Sequence, residues 1–350
     1  MKTIRFNQLL ITLLLIGGNS LNGLAQDVHF SQMPYSPLTL NPALAGANSP
    51  LQAIVNYRTQ WRSVASPYKT IAASVDGRIN ENKRGKHGHI AYGLNFFNDQ
   101  AGDARVATTN VNVSLGYHII LDRTSTLGAA VYGGFGQRSI NSAAGKWGSQ
   151  YNGMAYDATL SSGETFATSQ FSYADVGAGL VYTYKEGDRY MTSNDQKSFN
   201  YGFAIYHLNK PKYSFLGAGA EEELYMRWSI FANGNIGLGN SRWSIMPGVY
   251  YQRQKSAQEL LIGTYFKCRL SEASRVTGMN KSSFLSLGLF YRNKDAMVAK
   301  AMLEWSDYSI GFAYDVNISS LTQVSNARGG VELFLRYNMT GGYGRSRSRI

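Results

Sequence analysis

Beyond residue 50 the chain alternates apolar with polar or small residues in block after block. Val111, Val113, Leu115, Tyr117, Ile119 and Leu121 share one parity, while Asn110, Asn112, Ser114, Gly116 and His118 share the other. A period of two places such sets on opposite faces of a β-strand. The same rule sends Val176, Ala178, Leu180, Tyr182 and Tyr184 one way and Asp175, Gly177, Gly179, Val181 and Thr183 the other. It separates Ile310, Phe312, Tyr314 and Val316 from Ser309, Gly311, Ala313 and Asp315. It also separates Val331, Leu333, Leu335 and Tyr337 from Glu332, Phe334, Arg336 and Asn338.

Many of these blocks are long enough to cross a bilayer, which takes roughly 9–11 tilted residues. The pattern predicts strands near 51–61, 69–79, 89–98, 105–121, 124–139, 173–185, 198–209, 223–237, 241–254, 257–269, 282–293, 296–306, 307–317 and 329–339. That makes about 14 antiparallel strands, an even count, as in a single-chain bacterial outer-membrane barrel. The expected fold is therefore an all-β transmembrane barrel over 51–339. A charge facing lipid at the midplane costs up to about 2–4 kcal/mol, so Asp175, Glu332 and Arg336 are expected to face inward. A periplasmic β-sandwich would also alternate, but its strands run nearer roughly 5–6 residues.

Residues 26–50 break the pattern and hold four of the seven prolines. This segment reads as irregular and plug-like, crossing or filling the lumen. Ahead of it, 1–25 has the form of a signal peptide: a basic Met1–Arg5, the apolar run Leu9–Ile16, and small residues at Gly23 and Ala25 before Gln26. Residues 340–350 form a basic tail. Short connections (122–123, 239–240, 293–295) read as periplasmic turns, and longer ones (140–172, 210–222, 270–281, 318–328) as outer loops.

Composition modifies this picture only slightly. The mean hydropathy of −0.25 suits a soluble protein and a barrel with a polar lumen equally. The formal charge of +12 falls to +10 once Lys2 and Arg5 leave with the signal. In an exported chain that favours acidic partners, lipid head groups or a charged lumen over nucleic acid. The single cysteine, Cys268, excludes an intrachain disulfide. His87 and His89 form an HxH pair with no third ligand spaced to complete a metal site. No serine stands in a nucleophile-elbow context, so neither an enzyme nor a cofactor is expected.

Several motifs carry a family resemblance. They are Gln26–Asp27, Phe30–Ser31–Gln32, Pro37, Asn41–Pro42–Ala43 with Gly46, and Tyr57–Arg58 with Gln60–Trp61. Further along come Gly116–Tyr117–His118, Phe135 to Ser139, Tyr206 to Asn209, Tyr291–Arg292 with Asp295, and Gly311 to Val316. Together they resemble the PorP/SprF family of type IX secretion system proteins. The resemblance implies an outer-membrane barrel serving gliding motility and secretion. Its partners would be a secreted adhesin with a type B C-terminal sorting domain, other type IX secretion components and the lipid bilayer.

On this reading Pro37, Asn41, Pro42, Tyr57, Arg58, Trp61, Asp175, Asp315, Glu332 and Arg336 line the plug and lumen. Trp147, Tyr151, Tyr156, Phe166, Lys212, Tyr213 and Phe215 are loop residues offered to a partner. Both termini are expected in the periplasm. A porin-like or hydrophobic-solute channel explains the strands equally well and remains the alternative.

Overall fold

The computed structural model describes residues 27–62, 66–79, 87–187, 194–216, 222–271, 282–319 and 322–339. In it the alternating blocks form a closed, antiparallel fourteen-strand barrel in which β1 pairs with both β2 and β14. The strands are β1 Leu51–Gln60, β2 Tyr68–Ile79, β3 Gly88–Ala101, β4 Val106–Ile120, β5 Ser125–Ser139, β6 Gln170–Glu186 and β7 Lys197–Tyr206. They continue as β8 Arg227–Gly237, β9 Trp243–Gln254, β10 Ala257–Ser271, β11 Ser283–Arg292, β12 Ala296–Trp305, β13 Tyr308–Asn317 and β14 Arg328–Asn338. No described helix is long and apolar enough to cross a membrane.

The two faces follow the parity of the sequence. Leu115, Val131, Leu287 and Leu289 stand exposed on the outer wall, while Asn110, Ser114 and His118 are buried inside. Trp228 lies near one rim, and Trp243, Trp305 and Tyr308 near the other, all on the outer face. Such aromatic rings suit the two interfaces of a bilayer.

Antiparallel pairing fixes which connections share an end. The links β1–β2, β3–β4, β5–β6, β7–β8, β9–β10, β11–β12 and β13–β14 leave and rejoin the wall at one mouth, the loop end. The links β2–β3, β4–β5, β6–β7, β8–β9, β10–β11 and β12–β13 leave and rejoin it at the other, the turn end. Two expectations are corrected here. The short 293–295 turn belongs to the loop end, and the 270–281 connection leaves from the turn end, between Ser271 and Ser283. Residues 272–281 themselves lie outside the described residues, as do 1–26, 340–350 and parts of 210–222 and 318–328. Connection length does not encode the side of the membrane; the running count of strands does.

A third correction concerns β7. It stops at Tyr206, short of the expected 209, because His207 takes a left-handed φ of 59° that no strand continues through. Asp27 meets residues at the loop end (His207, Arg227 and Gln254), whereas Pro50 accepts from Arg78 at the turn end, where β14 also finishes. The described residues thus begin at the loop end and finish at the turn end; the chain termini themselves lie outside them.

Candidate functional site: the plugged lumen and its mouth

Residues 27–50 run down the lumen from the loop end to the turn end. Three short helical turns shape the path: Met33–Tyr35, Pro37–Leu40 and Pro42–Leu44, each with a proline at its start. Proline suits the first turn of a helix because its missing N–H would have no intrahelical partner there. Phe30, Met33, Tyr35, Leu38, Leu40, Ala43, Leu44 and Ala45 are all nearly inaccessible. The segment is a packed plug rather than a loose strap.

Wall residues hold it at four levels. At the loop end the Asp27 carboxylate lies 2.5 Å from His207 Nε2 and 3.5 Å from Arg227 Nε. The other ring nitrogen of His207 is 2.9 Å from Asp175, which also accepts from the Tyr132 hydroxyl at 2.8 Å.

One level below, the Glu332 carboxylate accepts the consecutive backbone N–H groups of Ser31 (2.7 Å) and Gln32 (3.0 Å). The Ser31 hydroxyl donates to Asp315, which pairs with Arg58 at 3.1 Å and Arg292 at 3.0 Å. Arg58 also donates to the His29 carbonyl. These buried charges are tolerated because each is paired and hydrogen-bonded.

At mid-lumen the Tyr35 ring stacks on Phe334, with centroids 4.1 Å apart, and the Arg336 guanidinium lies over it at 5.2 Å. Asn41 follows. Its Oδ1 accepts from Ala43 N–H, and its Nδ2 donates to the carbonyls of Leu180 and Phe203. Glycine is required opposite: a Cβ on Gly179 would lie 2.1 Å from Asn41 Oδ1, and one on Gly202 2.8 Å from Nδ2. At the turn end His118 Nε2 meets the Ala45 carbonyl, and Asp76 accepts from Gly46 N–H.

Of the ten residues expected at plug and lumen, Pro37, Asn41, Pro42, Arg58, Asp175, Asp315, Glu332 and Arg336 are there. Tyr57 is not. It is 40% exposed on the outer wall beside Arg58, which is buried inside. Neighbours on a strand cannot share a face, so the motif that pairs them spans both sides of the wall. Trp61 sits beyond the end of β1, edge-on to Tyr68, at the loop mouth.

The loop residues divide into two groups. Trp147, Phe166, Tyr213 and Phe215 pack together, Trp147 against Phe166 and Phe166 against Phe215, with Phe171 joining Tyr213 to Phe215. Tyr151 and Tyr156 instead flank a tight hairpin, closed by the Asn152 side chain, with Met154 92% exposed at its tip. The backbone at Lys212 forms an isolated antiparallel β-bridge with that at Glu223, at the rim. Below these loops a cavity of about 810 Å³ opens at the mouth, floored by Asp27, Val28 and His29 and walled by Trp61, Tyr68, Asp99, Arg138 and Tyr213.

Asp27, Arg138, His207 and Arg292 stand in the motifs that carry the family resemblance, but sequence alone assigns a lumen role to none of them, nor to Arg227. Arg292 shares the inward parity of Phe290 on β11, so the cost of a charge facing lipid would have found it. His87 is exposed at the turn end. His89 is buried and stacks on His118 with centroids 4.8 Å apart, so the HxH pair is split.

The uppermost latch responds to pH. Burial alone would lower the His207 pKa, but Asp27 and Asp175 raise it from 6.5 to about 9. Burial pushes the Asp27 carboxyl up, but His207, Arg227 and Gln254 outweigh this and hold it well below the usual carboxylate range. A raised histidine contributes stability that is complete below pH 6.5 and is lost as pH rises through about 9. The depressed Asp27 contributes above its unfolded value of 3.8, and that part is lost only in stronger acid. The latch is thus expected to loosen near pH 9. Protease cleavage near Asp27 should rise between pH 8 and 10 in the native protein. In His207→Gln it should be raised at every pH, with no such step.

The model of the family described as "Type IX secretion system membrane protein PorP/SprF" matches residues 22–337. No curated protein matches the chain. Among solved structures, the P. putida toluene transporter TodX is similar at 12% identity, covering 86% of this chain and 93% of that one, with a TM-score of 0.44. BamA from Haemophilus ducreyi lacking POTRA domains 1–3 is 9% identical over 83% and 71%, with a TM-score of 0.44. A Pseudomonas aeruginosa FadL homologue is 10% identical over 86% and 93%, with a TM-score of 0.43. With a closed, plugged barrel of outer-membrane type and a family match across nearly its whole length, this chain belongs to the PorP/SprF family of type IX secretion system membrane proteins.

Proposed function

We propose that the protein anchors a secreted adhesin at the outer membrane by binding its C-terminal type B sorting domain at the loop-end mouth. The observation that carries this reading is the plug. Residues 27–50 fill the lumen along its length, which leaves the rim as the surface available for work. The role is binding, with no chemical step. Tyr151, Met154 and Tyr156 stand exposed on loop 140–169, beyond the end of β5. Large apolar and aromatic side chains of this kind serve as anchors at protein interfaces. Other type IX secretion components are the remaining protein partners, and the turn end would face them across the periplasm.

In cells lacking the protein, one adhesin is expected in the medium instead of on the surface. Normal retention of every type B cargo would refute the proposal; a solute-uptake defect in its place would favour a channel. Orientation is read in a Cys268→Ser background. A membrane-impermeant maleimide is expected to label Met154→Cys on whole cells, and Asp307→Cys only after the outer membrane is permeabilised. The reverse pattern would turn the barrel over.

A further inference from the structure

Two cations line the mouth cavity without an acceptor among the described residues: Lys146, exposed and over the Tyr156 ring at 5.7 Å, and Arg138, which alone of the two has a buried donor. The cavity's carboxylates have protein donors: Asp27 has His207 and Arg227, Asp99 accepts from the Thr70 hydroxyl, and Asp103 accepts from the Ser66 hydroxyl. Arg138 has no acceptor. Its guanidinium lies over the Tyr213 ring at 4.4 Å and near the Phe215 ring at 5.4 Å, and its Nε is buried without a hydrogen-bond partner. Among the described residues no carboxylate comes within ion-pair distance of it. A guanidinium held against two rings is a preorganised fork for a carboxylate, and a buried donor left unpaired carries a standing cost that a ligand removes.

We infer that the mouth cavity, through Arg138, binds the α-carboxylate at the end of an extended peptide. This inference rests on the reading that an exported protein docks at the loop end. The cavity's form selects a chain end over a chain middle. The floor is Asp27 to His29, the top of the plug, so a peptide entering from outside stops there. A volume of about 810 Å³ accommodates a short terminal segment. Trp61, Tyr68 and Trp147 supply an aromatic wall for an apolar last residue. Arg138 lies across Thr108 from Asp99, which is two strands away. Strand spacing puts their backbones roughly 10 Å apart, and Asp99 accepts from Thr70 rather than from Arg138.

The test uses the full chain in detergent with three probes: acetyl-Val-Val-Phe as the free acid, the same peptide as the C-terminal amide, and acetyl-Glu-Val-Phe-amide, whose only carboxylate is on a side chain. Saturable binding of the free acid is expected, read as a change in tryptophan fluorescence. The two amides should bind at least about tenfold more weakly, as should the free acid to Arg138→Gln. Arg138→Lys, which keeps the charge but loses the fork, should fall between. Heat-modifiable migration on gels verifies that each variant is a folded barrel. Absent binding of the free acid, equal binding of acid and amides, or unchanged binding to Arg138→Gln would each overturn the inference. If the probe fails while cells lacking the protein still shed an adhesin, only the carboxylate site is lost. If the probe binds while every adhesin stays attached, the docking reading is lost and the site stands.

Discussion

Deletion of residues 27–50 is expected to turn a sealed barrel into an open, ion-conducting pore in planar bilayers. Barrel size sets the expectation. Roughly eight strands leave an interior that side chains fill, while 16–18 leave an aqueous channel. Fourteen strands fall between, and here the interior is closed by main chain and side chains of the plug rather than by the wall. Phe30, Met33, Tyr35, Leu38, Leu40 and Leu44 are buried there. Each contributes roughly 1.5–3 kcal/mol on burial, so the plug does not leave spontaneously and the intact protein should show no steady conductance.

A deletion can also disturb folding, which makes a second variant necessary. Gly179→Leu drives a side chain into the space held by Asn41 and should displace the Asn41–Pro42 turn while leaving the strands paired. Stable single-channel openings in both variants are the expected result. Silent bilayers from either one, with the barrel shown to be folded and inserted, would mean that the wall closes the lumen without the plug.

Asp315→Ala is expected to destabilise the protein more than any other single replacement in the lumen. Asp315 stands between Arg58 and Arg292, both nearly inaccessible, and accepts from Ser31 of the plug. Its loss leaves two guanidiniums short of a partner in a site that water does not reach freely. Breaking a buried ion pair from one side costs about 3–5 kcal/mol. The apparent melting temperature in detergent should fall, and brief conducting events should appear where the native barrel has none. Asp315→Asn keeps an acceptor for Ser31 and loses only the charge, so it should fall between. A melting temperature unchanged in Asp315→Ala would show that Glu332 suffices for Arg58, and Glu259 with Asp295 for Arg292.

Much of this architecture is written in the parity of the chain. The fourteen strands, the inward course of Asp175, Asp315, Glu332 and Arg336, and the proline-marked plug each follow from local rules about faces, lipid and backbone. The same parity excludes Tyr57 from the lumen. A motif that joins it to Arg58 suggested otherwise, and the geometry of a strand decides against the motif. The loop aromatics were less legible. Composition marks Trp147, Phe166, Tyr213 and Phe215 as partner contacts, but they pack on one another, and only Tyr151 and Tyr156 of the named aromatics project freely beside Met154.

What the sequence determined by itself is therefore the wall: how many strands, which residues face lipid, and where the pattern is interrupted. Each of these is a local property, settled by neighbours one or two residues apart. Only the tertiary structure decided the direction of the plug, the end to which each connection belongs, and the latches. Ser31 and Glu332 meet across 301 positions, and Asp27 and His207 across 180. A period of two records the face of each residue but not its height on the closed ring. Contacts through the lumen are fixed only once β1 pairs with β14 and brings the remote walls around residues 27–50.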